Sequence, residues 1–219
     1  VNLEIAKQRV GDFRIKSGDA IWKSRVSYVD RNVPFPDLKN TKPPSRAYFK
    51  LVEILRTCAI DASGRTLHLC DAPGGFTQAV LDTCPDVTQV FITSIRQDGA
   101  PLFTKSLFDS QCVQQLDLPH HSNLLYAAVR EQIEKEVSGC SLITADGAVD
   151  NEHQPDLAEA VSAHLMWCEI ATALVTQAEG GTFVLKIFSA TLDITRECIA
   201  ALAWCYSTVF VVKPFTSRI

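Results

Sequence analysis

The stretch Leu67–Val80, LHLCDAPGGFTQAV, decides the fold class. An apolar run of β character ends at Cys70, Asp71 follows, and a Pro73-Gly74-Gly75 turn opens directly into a segment of helical composition. Gly74 and Gly75 permit unusual φ and close backbone approach. A helix beginning there presents unpaired N–H groups. In a doubly wound sheet, ligands bind beyond the carboxyl ends of the strands, near this first crossover. The turn is not GxGxxG and lacks Gly-Lys-Ser/Thr, which counts against a dinucleotide fingerprint and a P-loop. Taken alone, it also fits a βα connection that merely needs glycine.

Outward from this turn, β-type and helical segments alternate, the pattern of a parallel sheet covered by helices. Strands are expected at 66–70, 89–95, 113–118, 141–146, 181–188 and 207–213. Several are nearly continuous apolar runs, as for strands buried on both faces. Helices are expected at 45–60, 75–84, 123–137, 155–178 and 192–204. In the longest, Leu157, Val161, Leu165, Cys168, Ala171 and Val175 make an inward stripe. The chain stops soon after its last expected strand, so the expectation is a segment of a larger protein, truncated at the C-terminus.

The division expected is a basic, loop-rich flank over 1–44 and a catalytic domain over 45–219. Residues 1–50 carry eleven Lys+Arg against five Asp+Glu, and the remainder ten against twenty, so a polyanion would be gripped by the N-terminal portion. A solvated charged loop would give the same count. No signal peptide or membrane span is visible. Eight cysteines are scattered with no CxxC spacing, which argues against a structural zinc site and for reduced thiols in a cytoplasmic or nuclear protein that is not secreted.

The candidate chemistry lies at strand ends. Asp117 ends VQQLDL and Asp146 ends SLITAD, so Asp71, Asp117 and Asp146 can share one crevice. Lys186 interrupts the apolar GTFVLKIF; it either snorkels outward or faces a polar site, because burying a lone ammonium is costly.

Five motifs occur in order: SRAYFK (45–50), LCDAPGGF (69–76), LITADGAVD (142–150), GGTFVLKIF (180–188) and VVKPFTSR (211–218). Together they resemble the FtsJ-like RNA ribose 2′-O-methyltransferases, and most of all the mRNA cap enzymes. ADGAVDNEHQPDL, KPFTSR and, more weakly, RNVPFPDL point to the cap group. The resemblance covers about residues 30–219. It implies a Rossmann-like α/β fold, mostly parallel with helices on both faces, and S-adenosyl-L-methionine (SAM) as cofactor. It implies RNA as partner, with the capped mRNA 5′ end first, and neighbouring domains in a larger protein.

That family uses a Lys-Asp-Lys-Glu tetrad, and motif by motif its first three members are Lys50, Asp146 and Lys186. The glutamate is expected beyond Ile219. Cofactor contacts fall on Asp71, Ala72, Pro73, Gly74, Gly75, Phe76, Asp117 and Asp146. Aromatic faces beside Lys and Arg can stack bases, which puts Arg46 and Tyr48 near the RNA path, with Ser217 and Arg218 lining it. Two departures stand out. His68 occupies a place where many relatives are acidic, and ITSIRQDG (92–99) lacks an acid at the end of its strand. The mechanism implied is positioning and electrostatics without a metal, with Lys186 as base or as stabiliser of the developing alkoxide. The alternatives are a ribosomal or transfer RNA methyltransferase, or a catalytically silent module of the same fold that binds RNA or protein. A Rossmann dehydrogenase is disfavoured by the glycine pattern.

Overall fold

Strand β1 (Gly64–Leu69) is buried over Thr66, Leu67, His68 and Leu69 because it runs through the middle of the sheet. In this computed structural model the described residues are 42–149 and 157–217. The expectations for the flank before residue 42, for part of the 145–157 stretch and for Arg218 lie outside them. Backbone contacts divide the chain into two compact units: Pro43–Phe188, and a second whose described part is Lys42 with 189–217.

In the larger unit, α1 (Ala47–Thr57) precedes β1, and α2 (Gly75–Thr83) leads to β2 (Val87–Thr93). Strand β3 (Val113–Gln115), helix α3 (Ala127–Glu136), strand β4 (Cys140–Ala145), helix α4 (Ala158–Thr176) and strand β5 (Gln177–Leu185) follow. Strand order is β3-β2-β1-β4-β5, and every pairing is parallel. The switch in direction of winding therefore lies at β1 and β4, where their carboxyl ends form a crevice.

One face of the sheet is a continuous apolar core. Leu67 and Leu69 of β1, Ile143 and Ala145 of β4, Val129 and Ile133 of α3, and Cys168 and Ala173 of α4 belong to it. Each fully buried leucine there contributes about 1.5–3 kcal/mol by leaving water. Helices α1 and α2 pack on one another and add nothing to that cluster. Alternate residues of β1 bear a polar ladder instead. His68 Nδ1 lies 2.7 Å from Thr144 Oγ1, and its Nε2 lies 3.2 Å from Thr66 Oγ1. All three side chains are buried, and the bonds offset the cost of taking polar atoms out of water.

Several boundaries differ from the sequence reading, and those at β3 and β5 bear on the site. Strand β3 ends at Gln115, before Asp117. Strand β5 begins at Gln177, directly after α4: Cys140 pairs with Gln177 and Leu142 with Thr182, so 178–181 bulge out of register, with Gly180 at φ 75°. The strand then ends at Leu185, leaving Lys186 just past it. Residues 207–213, expected as a sixth strand, join no ladder. Apolar β-type composition allows an extended chain, but a strand exists only where backbone groups find a partner.

In the smaller unit, α5 (Asp193–Cys205) begins with Arg196 fixed to the Asp193 carboxylate at 2.8 Å and to the Thr191 carbonyl at 2.6 Å. Among the described residues, no helix is long and apolar enough to cross a membrane.

Candidate active site

The turn after β1 is built by one carboxylate. Asp71 Oδ1 accepts the Phe76 N–H at 2.9 Å, and Oδ2 accepts the Thr77 N–H at 2.8 Å and the Thr77 hydroxyl at 2.6 Å. The Asp71 carbonyl accepts the Gly74 N–H at 2.6 Å. Asp71 is only 2 % exposed, and burial raises its carboxyl to about 7 despite the hydrogen bonds that oppose the shift. It caps α2 from within the protein instead of presenting its carboxylate to solvent. The Ala72–Pro73 bond is cis, and Gly74 sits at φ 108°, where a Cβ would strike Leu107 and approach Phe103. A Cβ on Gly75 would strike Ser45 Oγ and crowd the Tyr48 backbone nitrogen. The start of α1 is therefore locked onto the glycine turn.

The ends of β4 and β5 supply the second half. The Asp146 N–H donates to the Leu69 carbonyl at 3.2 Å, and the Lys186 N–H donates to the Ala145 carbonyl at 2.9 Å, so both residues extend the sheet by one step. Lys186 Nζ then lies 2.9 Å from Asp146 Oδ1 and 2.7 Å from the Asp146 carbonyl oxygen. Both side chains are about a quarter exposed or less, and the ammonium stands 5.2 Å from the centroid of the Phe188 ring. Hydrogen-bonded to a charge, each contact is worth more than a neutral one.

The structure thus brings together Asp71, Ala72, Pro73, Gly74, Gly75, Phe76, Asp146 and Lys186 at the carboxyl ends of neighbouring strands. It treats other expected residues differently. Lys50 is half-buried on α1, one turn beyond the residues that abut Gly75. Asp117 is at the same edge of the sheet, but its side chain is 96 % exposed and tied to Arg96 at 3.0 Å. Arg96 also holds the Leu118 carbonyl at 2.9 Å.

Tyr48 requires a correction. It is fully buried, its hydroxyl donates to Asp82 at 2.9 Å, and its ring meets Phe49 edge-on at 5.1 Å, so its face is closed to a base. Arg46 is the residue before α1, half-buried. Ser217 lies in the smaller unit, where its hydroxyl accepts from Lys213 Nζ at 3.3 Å. His68 is a sheet-interior residue, not a member of the site.

Sequence reading missed two features. Glu169 of α4 is 1 % exposed and accepts the Gly147 N–H at 2.9 Å; the only signal was a charge on the inward side of a helix. A cleft of about 130 Å³, lined by Ile95, Arg96, Leu102, Phe103, Phe108 and Gln115, opens at the end of β2. The backbone of its 101–108 loop is bonded to the glycine turn through Thr104 N–H and the Pro73 carbonyl at 3.0 Å. All eight cysteines are free.

The family model described as FtsJ-like methyltransferase matches residues 43–219. The chain belongs to the FtsJ-like methyltransferase family. A zebrafish (Danio rerio) protein named cap-specific mRNA (nucleoside-2′-O-)-methyltransferase 2 is 29% identical over 230 residues, covering 91% of this chain and 30% of that protein. The Pongo abelii protein of the same name is 40% identical over 77 residues, 35% of this chain and 10% of the relative. A Schizosaccharomyces pombe tRNA (cytidine(32)/guanosine(34)-2′-O)-methyltransferase is 26% identical over 181 residues, covering 80% of this chain and 60% of that one. The matched region thus spans at most about a third of these cap-enzyme relatives. A crystal structure of a putative ribosomal RNA methyltransferase from Plasmodium falciparum superposes with a TM-score of 0.57 at 16% identity, covering 78% of this chain and 91% of that one. At that identity it speaks for the fold.

Proposed function

We propose that this chain is the catalytic domain of an enzyme that transfers a methyl group from SAM to a ribose 2′-hydroxyl of RNA, at a cap-proximal nucleotide of mRNA. The observation that carries this reading is the double anchoring of Lys186 on Asp146, beside a glycine turn in an FtsJ-like fold.

The residues present fit the cofactor. Asp146 offers a carboxylate to a cationic group, the turn at 72–75 brings bare backbone into the crevice, and the apolar cleft beside it suits a flat nucleoside. When bound, SAM supplies an activated methyl on a positively charged sulfur. The chain's own residues act on the acceptor. An ammonium has three N–H donors; Lys186 commits two to Asp146, leaving the third to meet the ribose oxygen. Held this way, its charge stabilises the negative charge that builds on the ribose oxygen as that oxygen bonds the methyl and its proton passes to solvent water. Asp146 fixes where that charge sits and balances it in the ground state. Lys50, on the helix locked to Gly75, is the second cation we assign to the acceptor. Arg46, Ser217 and Arg218 are the polar residues we assign to RNA contact.

The cap assignment is supported by relatives whose alignment covers up to 91% of this chain. The test is methyl transfer from labelled SAM by the full-length protein to short RNAs, capped and uncapped. Transfer to the first capped nucleotides that vanishes in Lys186→Ala is expected. Equal transfer to uncapped RNA refutes the cap assignment and favours a transfer or ribosomal RNA target. A methyl located on a base nitrogen refutes the ribose assignment, and SAM binding without transfer to any RNA refutes the enzyme.

A further inference from the structure

The Asp146–Gly147 peptide is gripped from both ends. Its carbonyl accepts from Lys186 Nζ at 2.7 Å, and its N–H donates to Glu169 Oε1 at 2.9 Å. In a trans peptide the C=O and N–H point in opposite directions. An ammonium and a carboxylate therefore face each other across a single amide plane. Bonds arranged in such a chain polarise one another, so a charged Glu169 makes the carbonyl a better acceptor for Lys186.

Gly147 is required for this contact, since a Cβ there would run into the Glu169 carboxylate and Leu165. Cys70, just past the end of β1 at φ 56°, lies close enough to Glu169 for the two groups to influence one another. The groups facing Glu169 are thus Cys70 from β1, Asp146 and the Gly147 amide from the end of β4, and Lys186 from the end of β5. A carboxylate so nearly enclosed is expensive unless its surroundings use it.

We propose that Glu169 is a positioning residue for methyl transfer: it fixes the Asp146–Gly147 peptide on which Lys186 is anchored, and its charge sets how firmly Lys186 is held. The proposal rests on the reaction assigned above. Burial raises Glu169 to about 7, opposed by the Gly147 N–H and by Lys186, so its charge changes near neutral pH.

The test has one arm independent of turnover. In the [15N]glycine-labelled protein the Gly147 amide is expected to shift with a midpoint near 7 and to stop doing so in Glu169→Gln. A wild-type Gly147 amide that does not move between about pH 6 and 8 overturns the proposal, even if the variant fails to fold. In the second arm, kcat of E169Q is expected to equal wild type below the midpoint and to fall about tenfold short above it, the worth of one charge-assisted hydrogen bond. KM for SAM and RNA should hardly change. Superimposed kcat profiles overturn the proposal, and so does an equal loss at every pH with weakened SAM binding, which marks a purely structural role. If Lys186→Ala transfers methyl as well as wild type, the reaction assignment fails instead, whatever Gly147 does.

Discussion

Lys186 and Asp146 are joined twice, through the carboxylate at 2.9 Å and through the backbone carbonyl of the same residue at 2.7 Å. The second bond keeps the ammonium in place if the carboxylate is removed, so the two roles of Asp146 separate by mutation. Asp146→Asn should fold, retain Lys186 near its position, and lose at least about a hundredfold in kcat, because the charge balance and not the location is lost. Lys186→Ala should lose more. Single-turnover methyl transfer with a matched melting curve checks both.

Asp71 satisfies two backbone N–H groups and a hydroxyl from inside the protein. Asp71→Ala leaves those donors buried and unmatched, at about 1–3 kcal/mol for each such group before relaxation. A loss of roughly 3 kcal/mol in urea denaturation is expected, with SAM binding weakened through disorder of the turn. A variant as stable as wild type would show that α2 does not depend on this cap.

Tyr48 is packed, not presented. Tyr48→Phe removes the hydroxyl and with it the bond to Asp82, which should cost about 1 kcal/mol of stability and leave RNA affinity unchanged. A large drop in RNA binding by filter retention at equal stability would return Tyr48 to the RNA path.

His68 gives acid sensitivity. Burial lowers it from 6.5 to about 3, so the unfolded chain binds a proton that the folded one refuses between those limits. Its contribution to stability is complete above about 6.5 and is lost as pH falls toward 3, at about 1.4 kcal/mol per unit. Asp71 and Glu169, both raised to about 7, act in the opposite sense: their contribution is complete below about 4 and lost as pH rises through 7. The difference in unfolding free energy between wild type and His68→Asn should therefore shrink steadily from pH 7 to pH 4. A constant difference would mean that His68 is not neutral in the fold.

Much of the sheet was legible because β1, β2 and β4 are buried on both sides and read as apolar runs between helical segments. The stretch at 207–213 has the same composition, yet partner availability is a tertiary property that composition does not encode. Lys186 was visible because an ammonium in an apolar run demands a reason. Tyr48 misled because aromatic residues beside Arg and Lys look alike whether their rings face solvent or the core. Glu169 was hidden for a related reason: in a helix rich in apolar residues, one inward acid looks like any other until Gly147 and Cys70 are seen against it.

The way Asp71 closes the start of α2 has a consequence for which molecules the crevice admits. Helix N-termini commonly welcome phosphate through free N–H groups. Here the donors of Phe76 and Thr77 are already occupied by the Asp71 side chain. A pyrophosphate arriving at the turn would find no vacant donors on those two residues. The first donors of α2 are thus spent inside the protein, so a ligand at this turn has to be held by other groups than the helix start.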